Sequence, residues 1–291
     1  MDESMEQIIL EFLYTAELVE NKKLNTVRSM RKDLAQFNRY LREKEKIADI
    51  RAINSVTLRG FVLDLQANQV TRRSINRKLS TLRGFFKYAV KNKLLEQNPM
   101  EAISSFDFEA EEPDILTLEE INGLRDAIEE SNVHGIRDRL IVELLYSSGI
   151  TSTEMLLTSE NMFSPEKREL RVYNGKTDRT VFFSERAKQY YLRYIEAKQA
   201  HFKEKYNRSI VFVNGSGTRL SDRSLRRLID RYAVKAGFTR EISPYSFRHT
   251  FAVVMLSHGM RLTWLKALMG HVTIESTLPY EQLVIRKGLK A

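Results

Sequence analysis

The chain has 291 residues, with 47 Lys and Arg against 38 Asp and Glu, a formal charge of +9 and a sequence pI near 9.5. That length suits two domains of ordinary size, and 42% hydrophobic with 10% aromatic residues supplies packed cores, which excludes a disordered or fibrous chain. Zero cysteines excludes disulfides, thiolate zinc sites and cysteine nucleophiles, no run reaches the roughly 18 apolar residues of a membrane span, and the start MDESMEQ has no signal-peptide pattern. A cytoplasmic globular protein is expected. The five histidines (His134, His201, His249, His258, His271) show neither HExxH nor another metal-ligand spacing, so no metal or other cofactor is expected. The basic excess favours an acidic partner, nucleic acid first.

Along the chain, apolar residues first recur at helical spacing: Ile8, Phe12, Leu13 and Ala16, then Met30, Leu34, Phe37 and Leu41, then Leu58, Val62 and Leu65. A last helix of this region carries Ile75, Leu79, Leu82, Phe85, Phe86, Ala89 and Val90 on one stripe. Its other side holds eight bases between Thr71 and Lys93 (Arg72, Arg73, Arg77, Lys78, Arg83, Lys87, Lys91, Lys93) and no acid. Bases without acids to pair with create a positive field that suits phosphates; a solvated helix face is the plainer reading. The sign then flips, with eight acids and no base from Glu101 to Glu120. The stretch FDFEAEEPD reads as a domain end and linker, giving a four-helix domain over residues 1–105, an acidic linker over 106–116 and a second domain over 117–291.

After the linker, Thr117 to Glu120 (TLEE) is a capping box, a helix runs through LIVELLYSSG to Gly149, and Thr151 to Glu154 (TSTE) is a second capping box. The period then changes: ELRVYN and RTVFFS, separated by Gly175 to Asp178, predict two strands joined by a turn. Helical patterns resume from Glu185, with Ser221 a cap for a basic helix carrying Arg226, Arg227 and Arg231. The fold class expected is mainly α, in two domains, with one small β-hairpin or sheet in the second.

In SPYSFRHTF, Ser243 and Pro244 fit helix-cap and first-turn positions, which puts Tyr245 and Arg248 on one helix face. Gly270 and His271 end the pattern LTWLKALMGH, and Tyr280 follows nine residues beyond His271. Taken singly, these are a surface arginine, a helix-terminal histidine and a half-buried tyrosine.

Together, in this order, they resemble the tyrosine recombinases, and within them the compact Xer-like and phage-integrase-like members. The segments that carry the resemblance are TRRSINRKLSTLRGFFKYAVKNKLLEQNPME, RDRLIVELLYSSG, GKTDRTVFF, SPYSFRHTFA, MGH and the terminal tyrosine, so that it spans nearly the whole chain. It implies an N-terminal SAM-like core-binding domain and a catalytic domain that close around double-stranded DNA. It also implies strand exchange without metal or cofactor through a 3′-phosphotyrosyl intermediate, by a tetramer on two sites that is monomer or dimer off DNA. By the same resemblance Tyr280 is the nucleophile, Arg248 and His271 bind the phosphate, Lys176 protonates the leaving 5′-oxygen, and the tail residues Leu283, Val284 and Leu289 dock on a neighbour; packing of the tail on its own domain is the plainer reading. DNA phosphates would be held by Arg72, Arg73, Arg77, Lys78, Arg83 and Lys87 and by Arg226, Arg227 and Arg231.

Two positions depart from the family pattern. Tyr245 stands where histidine is commonest, and a phenol can still donate to a phosphate oxygen. The family's first arginine position is Thr151, which has no guanidinium; losing one such donor costs on the order of 10² to 10³ in rate. Another arginine could replace it, the candidates being Arg171 and Arg179 on the hairpin strands that flank Lys176, and Arg137 and Arg139 on the preceding helix. Otherwise a second recombinase or accessory protein completes the site, or the protein keeps sequence-specific DNA binding without efficient cleavage.

Overall fold

Contacts divide the computed structural model, in which residues 4–107, 112–173 and 178–289 are described, after Ala110 into two units, each with its own core. In the first unit the apolar stripes become α1 (Met5–Tyr14), α2 (Leu24–Tyr40), α3 (Ser55–Ala67) and α4 (Arg72–Lys91), with π-helical turns extending α1 and α2. Ser4, Asn54 and Thr71 cap α1, α3 and α4 by accepting from first-turn backbone N–H groups. Phe12, Phe37, Phe61, Phe85 and Phe86 meet in the middle, with Phe37 edge-on to Phe61 at 5.0 Å between centroids. Each such ring contributes about 2–3 kcal/mol by burial. The stripe read on α4 is buried except for Val90, which is half-buried.

The basic side of α4 is less open than its local sequence implies. Asp33 on α2, 1% exposed at its side chain, takes Arg77 Nη2 at 2.8 Å, Lys78 Nζ at 3.0 Å and Thr81 Oγ1 at 3.1 Å. Arg83 donates to the Ile103 carbonyl at 2.9 Å and Asn76 brackets the Phe106 backbone, so residues after α4 return along it. The expectation that no acid pairs with these bases therefore fails for Arg77 and Lys78. Their partner lies 44 residues or more away in sequence, beyond any local pattern. Lys87 is exposed.

The second unit wraps helices around α6 (Val133–Ser148), which buries residues on every side. Around it lie α5 (Leu118–Asp126), α7 (Ser152–Leu156), α8 (Glu185–Phe202), α9 (Asp222–Lys235), α10 (Pro244–Ser257), α11 (Leu262–Met269) and α12 (Leu278–Arg286). The expected hairpin is present as β2 (Glu169–Tyr173) and β3 (Asp178–Phe182), and a short β1 (Phe163–Ser164) makes it a three-stranded antiparallel sheet. Strand alternation sends Leu170, Val172 and Val181 into the core. Residues 112–116 run against this unit: Asp114 accepts from Ser246 Oγ at 2.7 Å, the Leu116 N–H donates to Thr250 Oγ1 at 2.7 Å, and Glu112 pairs with Arg286. The tail also packs on its own unit, with Leu283 and Val284 buried against α10, while Leu289 stays exposed.

Removing the Asp33 carboxylate leaves Lys78 without a counter-charge, whereas the half-exposed Arg77 regains water. Asp33→Ala should destabilise the chain by about 3 kcal/mol, read as a lower urea midpoint; an unchanged midpoint would show that the cluster carries no net stability.

Candidate active site

The site grows out of the end of α6. Gly149 closes that helix at φ +63°, and a Cβ there would lie 2.3 Å from the Phe251 ring, so only glycine fits. Two residues later Thr151 caps α7 in the expected capping box: its hydroxyl accepts from the Glu154 N–H at 3.2 Å. Glu154, 4% exposed, accepts at Oε2 from both the N–H and the hydroxyl of Thr151 at 2.9 Å. Burial alone would raise its carboxyl, and Arg179 with the Thr151 donors outweighs burial and holds it below the usual range.

Arg179 reaches the same carboxylate from β3. Its Nη2 donates to Glu154 Oε2 at 3.0 Å, its Nη1 pairs with Oε1, and its Nε donates to the Leu268 carbonyl at 2.6 Å. Val172 is its cross-strand partner, so it lies on the inward face of the sheet with Val181. Gly270, at φ +66°, ends α11, and a Cβ there would come within 3.0 Å of the Arg179 guanidinium. Arg248, 6% exposed on α10, donates to the carbonyls of Gly149 and Met269 at 2.5 Å each. The two arginines thus cap carbonyls at the C-terminal ends of α6 and α11, where the helix dipoles favour cations. These bonds use three of the five N–H groups of Arg179 and two of those of Arg248.

Tyr280 on α12 is 6% exposed, and its hydroxyl lies 2.8 Å from Nδ1 of His249 on α10. Burial raises the phenol above its usual range, Arg248 pulls it down and Tyr245 pushes it up. His271 lies nearly parallel to the Tyr280 ring at 6.4 Å, and its Nδ1 is 2.8 Å from the hydroxyl of the buried Thr277. Burial first, then Arg248, Arg179 and His249, lowers His271 to about 4, which keeps it neutral. Tyr245 is half-exposed, with its ring 6.1 Å from that of His249.

Arg248, His271 and Tyr280 therefore come together, with Tyr245 at their edge. Of the four substitute arginines, Arg179 alone joins them. Arg171 pairs with Thr180 on the outer face of the sheet and is exposed. Arg137 is spent on Asp138 and the Val213 carbonyl, and Arg139 on Glu143 and the Arg125 carbonyl. Strand alternation already distinguishes the hairpin pair, because Arg179 lies two residues from Val181 while Arg171 sits between Leu170 and Val172. Lys176 lies outside the described residues. On α9, Arg226 pairs with Asp222, Arg231 reaches Asp138 at 3.3 Å, and Arg227 is exposed. Sequence spacing does not assign His249 to the site, since nothing local in sequence ties it to Tyr280.

The profile of the phage integrase family matches residues 114–284, and that of the phage integrase N-terminal SAM-like domain matches residues 12–93. The chain belongs to the phage integrase family. Among tyrosine recombinases it is 30% identical to XerC of Syntrophus aciditrophicus (strain SB), over 97% of this chain and 95% of that one. It is 32% identical to XerC of Staphylococcus saprophyticus, over 95% and 92%. The fold is that of the XerH site-specific recombinase bound to a palindromic difH substrate (TM-score 0.77, 19% identity, 98% of this chain and 82% of that one). It is also that of the Tn1549 transposon integrase in complex with circular intermediate DNA (TM-score 0.73, 18% identity, 94% of each).

In this phage integrase member, His271 binds a proton less readily folded than unfolded. Its contribution to stability is complete above about 6.5 and is lost as pH falls from there towards 4. The melting temperature should fall across that window, and His271→Gln should flatten the slope, leaving the part due to His249, which burial and Arg248 also hold low. Parallel slopes for the two proteins would contradict the neutral His271.

Proposed function

We propose that the chain is a site-specific recombinase of the Xer type that cuts and rejoins duplex DNA through a phosphotyrosyl bond at Tyr280. The observation that carries this reading is the convergence of Tyr280, Arg248, His271 and Arg179 at the ends of α6 and α11. The Tyr280 oxygen attacks the scissile phosphorus, a 3′-phosphotyrosyl bond forms and the bond to the 5′-oxygen breaks. Arg248 and Arg179, through their remaining N–H groups, stabilise the negative charge that builds on the non-bridging oxygens. His271 donates to the phosphate from Nε2, with its Nδ1 held 2.8 Å from the Thr277 hydroxyl, and Lys176 supplies the proton to the leaving 5′-oxygen. A partner strand's 5′-hydroxyl reverses the step, with no metal or cofactor.

In this reading Arg179 stands in for the missing first arginine. It shares the Glu154 oxygen that Thr151 caps, which puts a guanidinium beside the position where the family carries one. The exposed Lys87 and Arg227 serve as phosphate contacts, along with Arg72, Arg73 and Arg226, with residues 1–105 as the core-binding domain and 117–291 as the catalytic domain. Strand exchange between two duplexes needs four such sites, so the working form is a tetramer, in the cytoplasm with its DNA.

On a bound duplex nicked beside the cleavage point, the protein should accumulate a denaturation-resistant adduct that maps to Tyr280, because the short 5′-hydroxyl fragment diffuses away. Tyr280→Phe should form none while its DNA affinity is unchanged; adducts in that variant, or none in the wild type, would refute the reading. Lys87→Ala should weaken binding evenly across sequences and reduce the salt slope by about 1, and an unchanged slope would remove Lys87 from the DNA interface.

A further inference from the structure

The nucleophile has one polar partner that the reading above leaves without a task. The Tyr280 hydroxyl meets Nδ1 of His249 at 2.8 Å, and the two rings lie 5.6 Å apart at 43°. Tyr280 comes from α12 and His249 from α10, helices whose packing is fixed by Leu283, Val284, Phe251 and Val253 in one core cluster. The pair is thus set by buried apolar contacts and not by two mobile side chains. Tyr245, one turn before His249, occupies the position where a histidine is commonest in this family, and a neutral phenol cannot take up a proton there.

We propose that His249 is the general base of this site: it takes the proton from the Tyr280 hydroxyl as that oxygen attacks the scissile phosphorus, and returns it when the strand is rejoined. This rests on the recombinase reading. In the forward step the Tyr280 oxygen forms its bond to phosphorus and its proton passes to Nδ1 of His249. The bond from phosphorus to the 5′-oxygen breaks, and that oxygen takes a separate proton from the general acid. In the reverse step the 5′-hydroxyl attacks, the Tyr280 oxygen leaves, and the proton on Nδ1 returns to it.

The surroundings make this transfer conditional on DNA. Burial and the adjacent Arg248 disfavour a charged His249 in the free protein. The cleft that His249 borders also carries Asp114, Arg226, Asp230, Arg240, Glu241 and Tyr245. Of these charges Arg240 is paired with Asp114 and Glu120, and Arg226 with Asp222. A phosphate seated on Arg248 offsets the field of that guanidinium, and the phenol becomes strongly acidic as its oxygen bonds to phosphorus. Both changes drive the proton to Nδ1 only when the substrate is in place.

The test is single-turnover cleavage of the nicked duplex from pH 5.5 to 9 by the wild type and His249→Asn, whose amide sits near the Nδ1 position but cannot take up a proton. The variant should bind the duplex as the wild type does and cleave about 10²- to 10³-fold more slowly, with the low-pH limb of the wild-type profile replaced by a steady rise with hydroxide. On a duplex whose scissile 5′-oxygen is replaced by sulfur, which leaves without a proton, the defect should persist; its disappearance would move His249 to the leaving-group side and overturn the proposal. His249→Ala, a second variant, should regain cleavage on addition of imidazole, and no regain in a protein that still binds DNA would count against it. Wild-type adducts with equal rates and profiles in His249→Asn would sink this proposal alone, whereas no wild-type adduct would sink the recombinase reading and this proposal with it.

Discussion

Two guanidinium groups of like charge share one buried site, and they stay there because a carboxylate and the C-terminal carbonyls of two helices meet them. Glu154 binds Arg179 through both oxygens, the Leu268 carbonyl takes its Nε, and the Gly149 and Met269 carbonyls take Arg248. Without Glu154 the two cations would repel each other in a region of low dielectric, and each would carry an unpaid desolvation cost. The glycines at 149 and 270 belong to the same constraint. One lets α6 end against Phe251, and the other leaves room for Arg179 at the end of α11.

The rest of the site follows from that pairing. The field of Arg248 acts on Tyr280, His249 and His271 alike: after burial it is the next cause that lowers both imidazoles, while on the phenol it works against burial, which still leaves Tyr280 above its usual range. In the proposed reaction a neutral His271 and a protonated Tyr280 phenol wait for the substrate, with the positive charge on the arginines. In that reaction an incoming phosphate adds negative charge beside the two arginines, so binding and activation act through the same electrostatics.

Much of this was legible in the sequence, for physical reasons. Helical stripes, the capping boxes at Thr117 and Thr151, the glycine stops at 149 and 270 and the hairpin are local features, read from residues a turn or two apart. The ordered Arg248, His271 and Tyr280 were legible through family resemblance, which carries long-range information that periodicity does not. Contacts between distant residues were not. Asp33 neutralises Arg77 and Lys78 from another helix, and His249 meets Tyr280 across 31 residues. The choice of Arg179 over Arg171 was half legible: strand alternation fixes which one points inward, but the Glu154 carboxylate that receives it becomes visible only in the fold.

The central claim is that Arg179 supplies the guanidinium that Thr151 lacks. Moving the charge tests it most directly: adduct formation at Tyr280 is measured for the wild type, Arg179→Ala and the Thr151→Arg/Arg179→Ala double variant on the same bound, nicked duplex. The account requires a loss of about 10²- to 10³-fold in Arg179→Ala and a substantial recovery when the arginine is restored at position 151, with DNA affinity level throughout. Wild-type cleavage by Arg179→Ala would contradict it.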